Sequence, residues 1–163
     1  MQIIHSTITF VLIFITLYSY GFAVTNKIYK RQNIDIFFTI LVGYLIIGTI
    51  TLILHFFFKI NDIISIGIII IALFIFLLNY KKFNKNEFLL LLIIIPIVSF
   101  LFFGYSEHPI DTNMYHHPYV SYLKSEKIII GLANVQFRFG HISFLQYVQA
   151  IVTNDLLDLI SLA

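Results

Sequence analysis

Cysteine and tryptophan are absent from this 163-residue chain, and charged residues make up only 11% of it. The lack of cysteine excludes disulfide bonds, thiolate catalysis and metal sites built on sulfur ligands. The low charge excludes an ordinary soluble domain, in which about a quarter of the residues are charged. The net charge is only +2, and the basic residues fall in short clusters beside apolar runs. This distribution is typical of a membrane protein and unlike the basic surface of a nucleic-acid-binding protein.

Hydrophobic sequence dominates the chain. Hydrophobic residues make up 60% of it, and the mean hydropathy is +0.95. A helix needs about 20 apolar residues to cross a hydrocarbon core that is about 30 Å thick. Four segments meet or approach that length, at about residues 3–24, 34–58, 63–78 and 88–105. The sequence therefore predicts an all-α, multi-pass transmembrane protein.

The short loops between these segments predict which way the protein lies in the membrane. The first and third loops carry a cluster of basic residues, namely Lys27, Lys30, Arg31, Lys81, Lys82 and Lys85. Loops rich in lysine and arginine stay on the cytoplasmic side of a membrane. The N-terminus and everything after the fourth segment are therefore expected outside the cytoplasm.

Two polar residues mark the ends of the second segment. Asp35 stands at its beginning, where a carboxylate can cap the helix and is favoured by the backbone dipole. His55 stands near its end, and its position favours a place at the membrane interface. Neither residue is predicted to carry chemistry.

Hydrophobicity falls abruptly between Glu107 and His141, so that a polar extracytoplasmic loop is predicted over residues 106–141. A helix is expected at about 115–123, because Pro118 would be tolerated in its first turn. Gly131 and Asn134 are typical turn residues. The loop concentrates the ionisable and hydrogen-bonding side chains of the chain: Glu107, His108, Asp111, Tyr115, His116, His117, Arg138 and His141.

Residues 142–163 become apolar again, with hydrophobic side chains at near-helical spacing. Asn154, Asp155 and Asp158 interrupt this pattern. The segment is therefore predicted to be an interfacial helix or part of a fifth membrane helix. Because the chain stops in the middle of the pattern, a truncated product is expected.

Three interpretations of the polar loop stay open at this point. In the first, Asp111 is a general base or cation ligand, His116 or His117 assists it, and Arg138 binds a phosphate through paired hydrogen bonds. In the second, His108, Asp111, His116 and His117 hold a metal ion, although their spacing matches no established ligand pattern. In the third, these residues are solvated loop side chains at a membrane surface.

The order of residues in this region also resembles a known family. The segments 111–116, 127–134 and 138–140 resemble a family of bacterial polytopic membrane proteins that look like GT-C type glycosyltransferases. The shared pattern is an aspartate, a Tyr-His pair, a Gly-Leu-x-Asn turn and an arginine before a further helix. The similarity extends over roughly residues 88–150.

The resemblance implies a bacterial inner-membrane enzyme that transfers sugar from a polyprenyl-phosphate-linked donor. It implies that Asp111 is the base or a metal ligand. If a divalent cation is bound, the candidate ligands are Asp111 and His117. His116, Tyr115, Asn134 and Arg138 match the pattern as catalytic or substrate-binding residues. GT-C enzymes have more spans than the four or five predicted here, so the chain is expected to be the N-terminal part of a longer enzyme. The alternative is a non-catalytic membrane module, such as a transporter or assembly fragment.

Overall fold

The computed structural model describes residues 2–29, 35–83, 85–103, 116–131, 134 and 143–153. The regular structure in these residues is helical, and none of them lies in a strand. An all-α fold is therefore confirmed for the described part of the chain. The helices are α1 (Gln2–Tyr29), α2 (Ile36–Phe57), α3 (Asp62–Asn79), α4 (Lys85–Phe103), α5 (His117–Ser125) and α6 (Phe144–Val152), with a 3-10 turn at Tyr80–Lys82.

Three of the helical stretches are long and apolar enough to cross a membrane. They are Thr7–Tyr29, Ile36–Phe57 and Asp62–Lys82. Helix α4 contains a shorter apolar stretch, Phe88–Val98. Large hydrophobic side chains on the outside of the bundle, such as Leu41 and Phe74, are 54% and 61% exposed. Such a surface suits lipid, and the chain is a membrane protein by these criteria, whereas a fourth span at 88–105 stays a prediction.

Helices α1 and α2 approach each other closely because glycine faces glycine. A Cβ atom on Gly21 would collide with the backbone of Thr39 and would lie 2.9 Å from the backbone nitrogen of Gly43. A Cβ on Gly43 would lie 2.7 Å from the carbonyl carbon of Leu17. In a bilayer, where lipid competes equally well for apolar side chains, this close backbone packing is what holds helices together.

The start of α2 is fixed by the cap that the sequence predicts. The carboxylate of Asp35 accepts hydrogen bonds from the backbone nitrogens of Phe37 and Phe38, at 2.7 and 3.1 Å. These bonds satisfy two of the amide groups that the first turn of a helix leaves unpaired.

The described lysines of the first and third loops lie at one end of the bundle. Phe83, which separates α3 from α4, packs with Tyr18 of α1 and Ile36 of α2 in one apolar cluster. Its ring meets that of Tyr18 edge-on, with the centroids 5.0 Å apart. This cluster brings the second half of α1 and the end of α3 to the first turns of α2 and α4. The exposed lysines there are Lys27, Lys81, Lys82 and Lys85.

Helices α5 and α6 pack at the opposite end, where α2 ends and α3 begins. The backbone nitrogen of Ile60, between α2 and α3, donates to the carbonyl of Leu123 in α5 at 2.9 Å. Helix α6 packs against α2, α3 and α5, and Phe144 covers Gly48 so closely that a Cβ there would lie 2.7 Å from its ring. With nine residues, α6 is about 13 Å long and does not by itself span a bilayer.

Candidate functional site

The candidate site is built around His55, in the last turn of α2. Its side chain is completely buried. Its Nδ1 atom lies 3.0 Å from the hydroxyl of Tyr147 in α6, and its Nε2 atom lies 2.9 Å from the backbone carbonyl oxygen of Glu126, just after α5. One imidazole ring thus connects three parts of the chain.

The partners of His55 determine where its proton lies. A carbonyl oxygen can only accept a hydrogen bond, so Nε2 carries the hydrogen that is donated to Glu126. In the neutral ring Nδ1 is then the acceptor, and the hydroxyl of Tyr147 donates to it. Both ring nitrogens are occupied, which meets the requirement that buried polar groups be hydrogen bonded.

Two more tyrosines of α5 complete the cluster around His55. Tyr119 is hydrogen bonded to Tyr147 and is 5% exposed. Because the only hydroxyl proton of Tyr147 goes to His55, Tyr119 is the donor in that bond. The ring of Tyr122 meets the His55 ring nearly at right angles, with the centroids 5.9 Å apart. We call His55, Tyr119, Tyr122 and Tyr147 the His55 cluster.

Burial controls the ionisation of the two tyrosines that lie outside the spanning helices. It raises the pKa of Tyr147 and that of Tyr119 above the ordinary value of 10.0. For Tyr147 the neighbouring Tyr119 raises the pKa further, whereas for Tyr119 the hydrogen bond shared with Tyr147 lowers the pKa and partly offsets the effect of burial. Both hydroxyls are therefore neutral donors and acceptors at physiological pH.

Local sequence explains why α5 and α6 present these side chains. Helix α5 begins at His117 with Pro118 in its first turn, and Tyr119 and Leu123 are buried on one face. A helix was expected at about 115–123, and the structure has one at His117–Ser125. In α6, Tyr147 and Ile151 are one helical turn apart and both are buried.

His116 is the one predicted catalytic residue that the structure describes. It lies immediately before α5, and its Nδ1 atom is 3.3 Å from Nε2 of Gln146 in α6. Gln146 is 7% exposed and directly precedes Tyr147. His116 therefore stands beside the His55 cluster, whereas the neighbouring side chain of His117 is exposed.

The predicted turn after the isoleucine run is present. Gly131 has a φ of 89°, a left-handed conformation that glycine adopts without strain. The backbone nitrogen of Asn134 donates to the carbonyl of Gly131 at 2.9 Å, which closes the turn. The side chain of Asn134 is exposed.

Several predicted site residues fall outside the described residues. They include the proposed base Asp111, the substrate-binding candidates Tyr115 and Arg138, and also Glu107, His108 and His141. Within the ranges that are described, no group of three His, Cys, Asp or Glu side chains could hold a metal ion. His116 and His117 by themselves do not form such a group.

A family profile described as "Domain of unknown function (DUF8201)" matches residues 3–161. The chain belongs to the DUF8201 family. The match covers the described helices from residue 3 onward, so the membrane bundle and the His55 cluster both lie inside the DUF8201 domain. Comparison with curated proteins and with solved structures gives no match.

Sequence reasoning missed the centre of this DUF8201 domain. It placed His55 near the membrane interface and gave it no structural role, and the structure shows that the ring is buried inside the protein at the end of α2. Its partners are 92 and 71 positions away along the chain, and hydrophobic periodicity does not reveal such pairings. The available signal was a histidine in a segment otherwise without charged side chains, since such residues generally face the protein interior.

Proposed function

We propose that this chain forms the N-terminal membrane portion of a GT-C-like glycosyltransferase, which uses a lipid-linked sugar donor in cell-surface glycan synthesis. The observation that carries the proposal is the position of α5 and His116. They lie at the end of the bundle opposite the exposed lysines of the first and third loops. Lysine-rich loops favour the cytoplasm, so His116 would lie outside it, where GT-C-type transfer takes place.

The polar loop supplies side chains suited to each step of such a transfer. Asp111 would accept the proton of the attacking sugar hydroxyl, or hold a divalent cation together with His117. Arg138 would pair with the phosphate of the polyprenyl-linked donor through two parallel hydrogen bonds. His116 would assist the proton transfer, and Tyr115 and Asn134 would contact the sugar.

The described spans themselves favour surface chemistry over transport. Helix α2 contains no Asp, Glu, Lys or Arg from Ile36 to Phe57. Transport proteins usually place ionisable residues near the middle of the membrane, where they bind ions or substrate. Because His55 has both ring nitrogens occupied by the protein, it is arranged to position α5 and α6 and not to shuttle protons.

The orientation is tested first, because the proposed chemistry depends on it. A reporter that is active only outside the cytoplasm would be fused after residue 110, and a second one within the loop at Lys82. We expect activity from the first fusion and none from the second. Activity from the Lys82 fusion and none from the fusion after residue 110 would put Asp111 on the cytoplasmic side and would contradict the proposal.

The role of Asp111 is tested in the full-length protein by Asp111→Asn, which keeps the shape of the side chain and removes its charge. We expect glycan transfer to fall at least about a hundredfold, the lower range for loss of a general base. The matched control is Glu126→Gln, since the Glu126 side chain is exposed and only its backbone carbonyl binds His55. Normal transfer by the Asp111 variant, with normal membrane insertion, would refute the assignment of Asp111 as the base.

A further inference from the structure

We propose that the apolar segment 128–130 after α5 is inserted into the lipid bilayer beside the end of α2. The segment would anchor the extramembrane part of the protein to the membrane surface. The inference is independent of the glycosyltransferase chemistry, because it rests on exposure, depth and backbone hydrogen bonding alone. We call residues 128–130 the isoleucine segment.

Large apolar side chains stay exposed in the isoleucine segment. Ile130 is 93% exposed and Ile129 is 49% exposed. At the end of α2, Phe57 and Phe58 are 68% and 59% exposed. Adjacent exposed side chains of this size mark a surface that is covered by a membrane or by another molecule.

The depth of the isoleucine segment follows from its bond to α2. The 22 residues of α2 extend about 33 Å, close to the thickness of about 30 Å of a hydrocarbon core. The last turn of α2 therefore lies at the boundary of that core. The backbone nitrogen of Ile128 donates to the carbonyl of His55 in that turn at 3.1 Å. The isoleucine segment is thus held at the depth where the hydrocarbon ends.

Backbone polar groups around the isoleucine segment are hydrogen bonded within the protein, as an environment with little water requires. The hydroxyl of Tyr122 donates to the carbonyl of Lys127 at 2.9 Å and accepts from the nitrogen of Ile129 at 2.8 Å. His55 binds the carbonyl of Glu126, as described above. Non-helical backbone is tolerated at membrane depth where the protein satisfies its polar groups. These bonds satisfy the carbonyls of Glu126 and Lys127 and the backbone nitrogens of Ile128 and Ile129.

Charged residues beside the isoleucine segment suit the headgroup layer. Lys127 directly precedes it, and Lys59 follows the end of α2; both side chains are exposed. Lysine at a membrane interface lays its alkyl chain along apolar surface and extends its ammonium group to the lipid phosphates. Exposed isoleucines flanked by lysines fit a lipid surface, which offers hydrocarbon to the isoleucines and phosphates to the lysines. Among the described residues, nothing beside the segment indicates a protein partner instead.

The test uses the absence of native cysteine, which allows a single labelled site without background. Ile130→Cys would carry an environment-sensitive fluorophore in the full chain, reconstituted into vesicles of phosphatidylcholine with phosphatidylglycerol. Iodide would quench labels in water, and nitroxide-bearing lipids would quench labels in the bilayer. Ser121→Cys is the aqueous control, since Ser121 is exposed on the face of α5 away from the buried residues. Phe57→Cys is the lipid reference.

We expect the iodide quenching constant at position 130 to be about threefold or more below that at position 121, as for a residue in the interfacial layer. Nitroxide lipids should quench the label at 130 about as strongly as the one at 57. Iodide quenching equal to that at 121 would overturn the proposal. Shielding from both iodide and nitroxide lipids would also overturn it, because protein would then cover the segment.

Discussion

The hydroxyl of Tyr147 lies 3.0 Å from Nδ1 of His55, although 92 positions separate the two residues in sequence. This bond ties the end of a spanning helix to a short helix that follows the polar loop. Because the other ring nitrogen holds the carbonyl of Glu126, the same histidine also fixes the end of α5. One buried ring thus holds both α5, which lies within the polar loop, and α6, which follows the loop.

Replacing Tyr147 with phenylalanine should show how much this hydrogen bond contributes to the free energy of unfolding. The Tyr147→Phe variant leaves Nδ1 of His55 buried without a donor, which costs about 1–3 kcal/mol. We expect the free energy of unfolding in detergent micelles to fall by that amount. Tyr80→Phe serves as the control, because Tyr80 is 55% exposed and should change stability by no more than about 0.5 kcal/mol.

A double-mutant cycle separates the pair from the individual side chains. His55→Leu leaves both the Glu126 carbonyl and the Tyr147 hydroxyl without a partner. If the bond exists, the double variant should be less destabilised than the sum of the two single variants, by about 0.5–3 kcal/mol. Additive losses would contradict the contact.

The close packing of α1 on α2 can be tested with a pair of glycines. Gly43→Ala places a methyl group against the backbone of Leu17 and Gly21, and overpacking of this kind costs about 1–3 kcal/mol. Gly67 in α3 has no atom within 4 Å of an added Cβ. Gly67→Ala should therefore leave thermal stability unchanged or raise it slightly. Equal effects of the two substitutions would show that α1 and α2 are not in contact here.

Alkaline stability should report on the two buried hydroxyls of α5 and α6. The pKa values of Tyr119 and Tyr147 are raised above 10.0 by burial, so the folded state binds their protons more tightly than the unfolded state. Their contribution to stability is complete below pH 10.0 and is lost as pH rises through the folded pKa values. Stability measured against pH should fall above pH 10.0, and tyrosinate absorbance from these residues should appear only with unfolding.

The matching control for the alkaline experiment is Tyr119→Phe. It removes one of the two raised pKa values, so the decline of stability with pH should become shallower. A decline of unchanged slope would mean that other groups cause it.

The side chain of Lys124 joins α5 to two other helices. An ion pair connects it to the start of α3, and a hydrogen bond connects it to the end of α6. Nζ of Lys124 lies 3.0 Å from Oδ1 of Asp62 and also donates to the carbonyl of Thr153. Asp62→Asn should cost no more than about 1 kcal/mol, since both side chains are partly exposed to solvent. Lys124→Met should cost more, because the carbonyl at the end of α6 loses its donor as well. Unfolding at low and high salt would separate the ionic part from the hydrogen bond.

The sequence alone predicted the bounds of the second and third helices well, but it did not predict which side chains contact one another inside the bundle. The second and third segments were predicted at 34–58 and 63–78, and α2 and α3 occupy Ile36–Phe57 and Asp62–Asn79. The cap of Asp35 and the turn at Gly131 were also predicted, because both are local effects of a single residue on its own backbone. The first segment was predicted to end at residue 24, but α1 continues to Tyr29 because a helix does not need to stop where its apolar face stops.

The contacts of α6 could not be predicted, for a physical reason. The repeated apolar residues of this segment gave a helix but no partner, since hydrophobic spacing does not say what covers a face. The structure packs its Tyr147 against α2 and its Ala150 next to Ser65 of α3, with the Ser65 hydroxyl 3.5 Å from the Ala150 carbonyl. Whether the segment is interfacial or part of a fifth membrane helix stays a prediction, and only the three-dimensional arrangement reveals its contacts.

The late position of α6 in the chain has a consequence for biogenesis. The ribosome must synthesise about ninety residues after His55 before the tyrosine that completes its hydrogen bonds emerges. Until then, Nδ1 of His55 lies at the end of an apolar helix without its hydrogen-bond donor. Nascent chains that terminate before residue 144 would keep Nδ1 of His55 without its donor, so they should be less stable than chains that include α6.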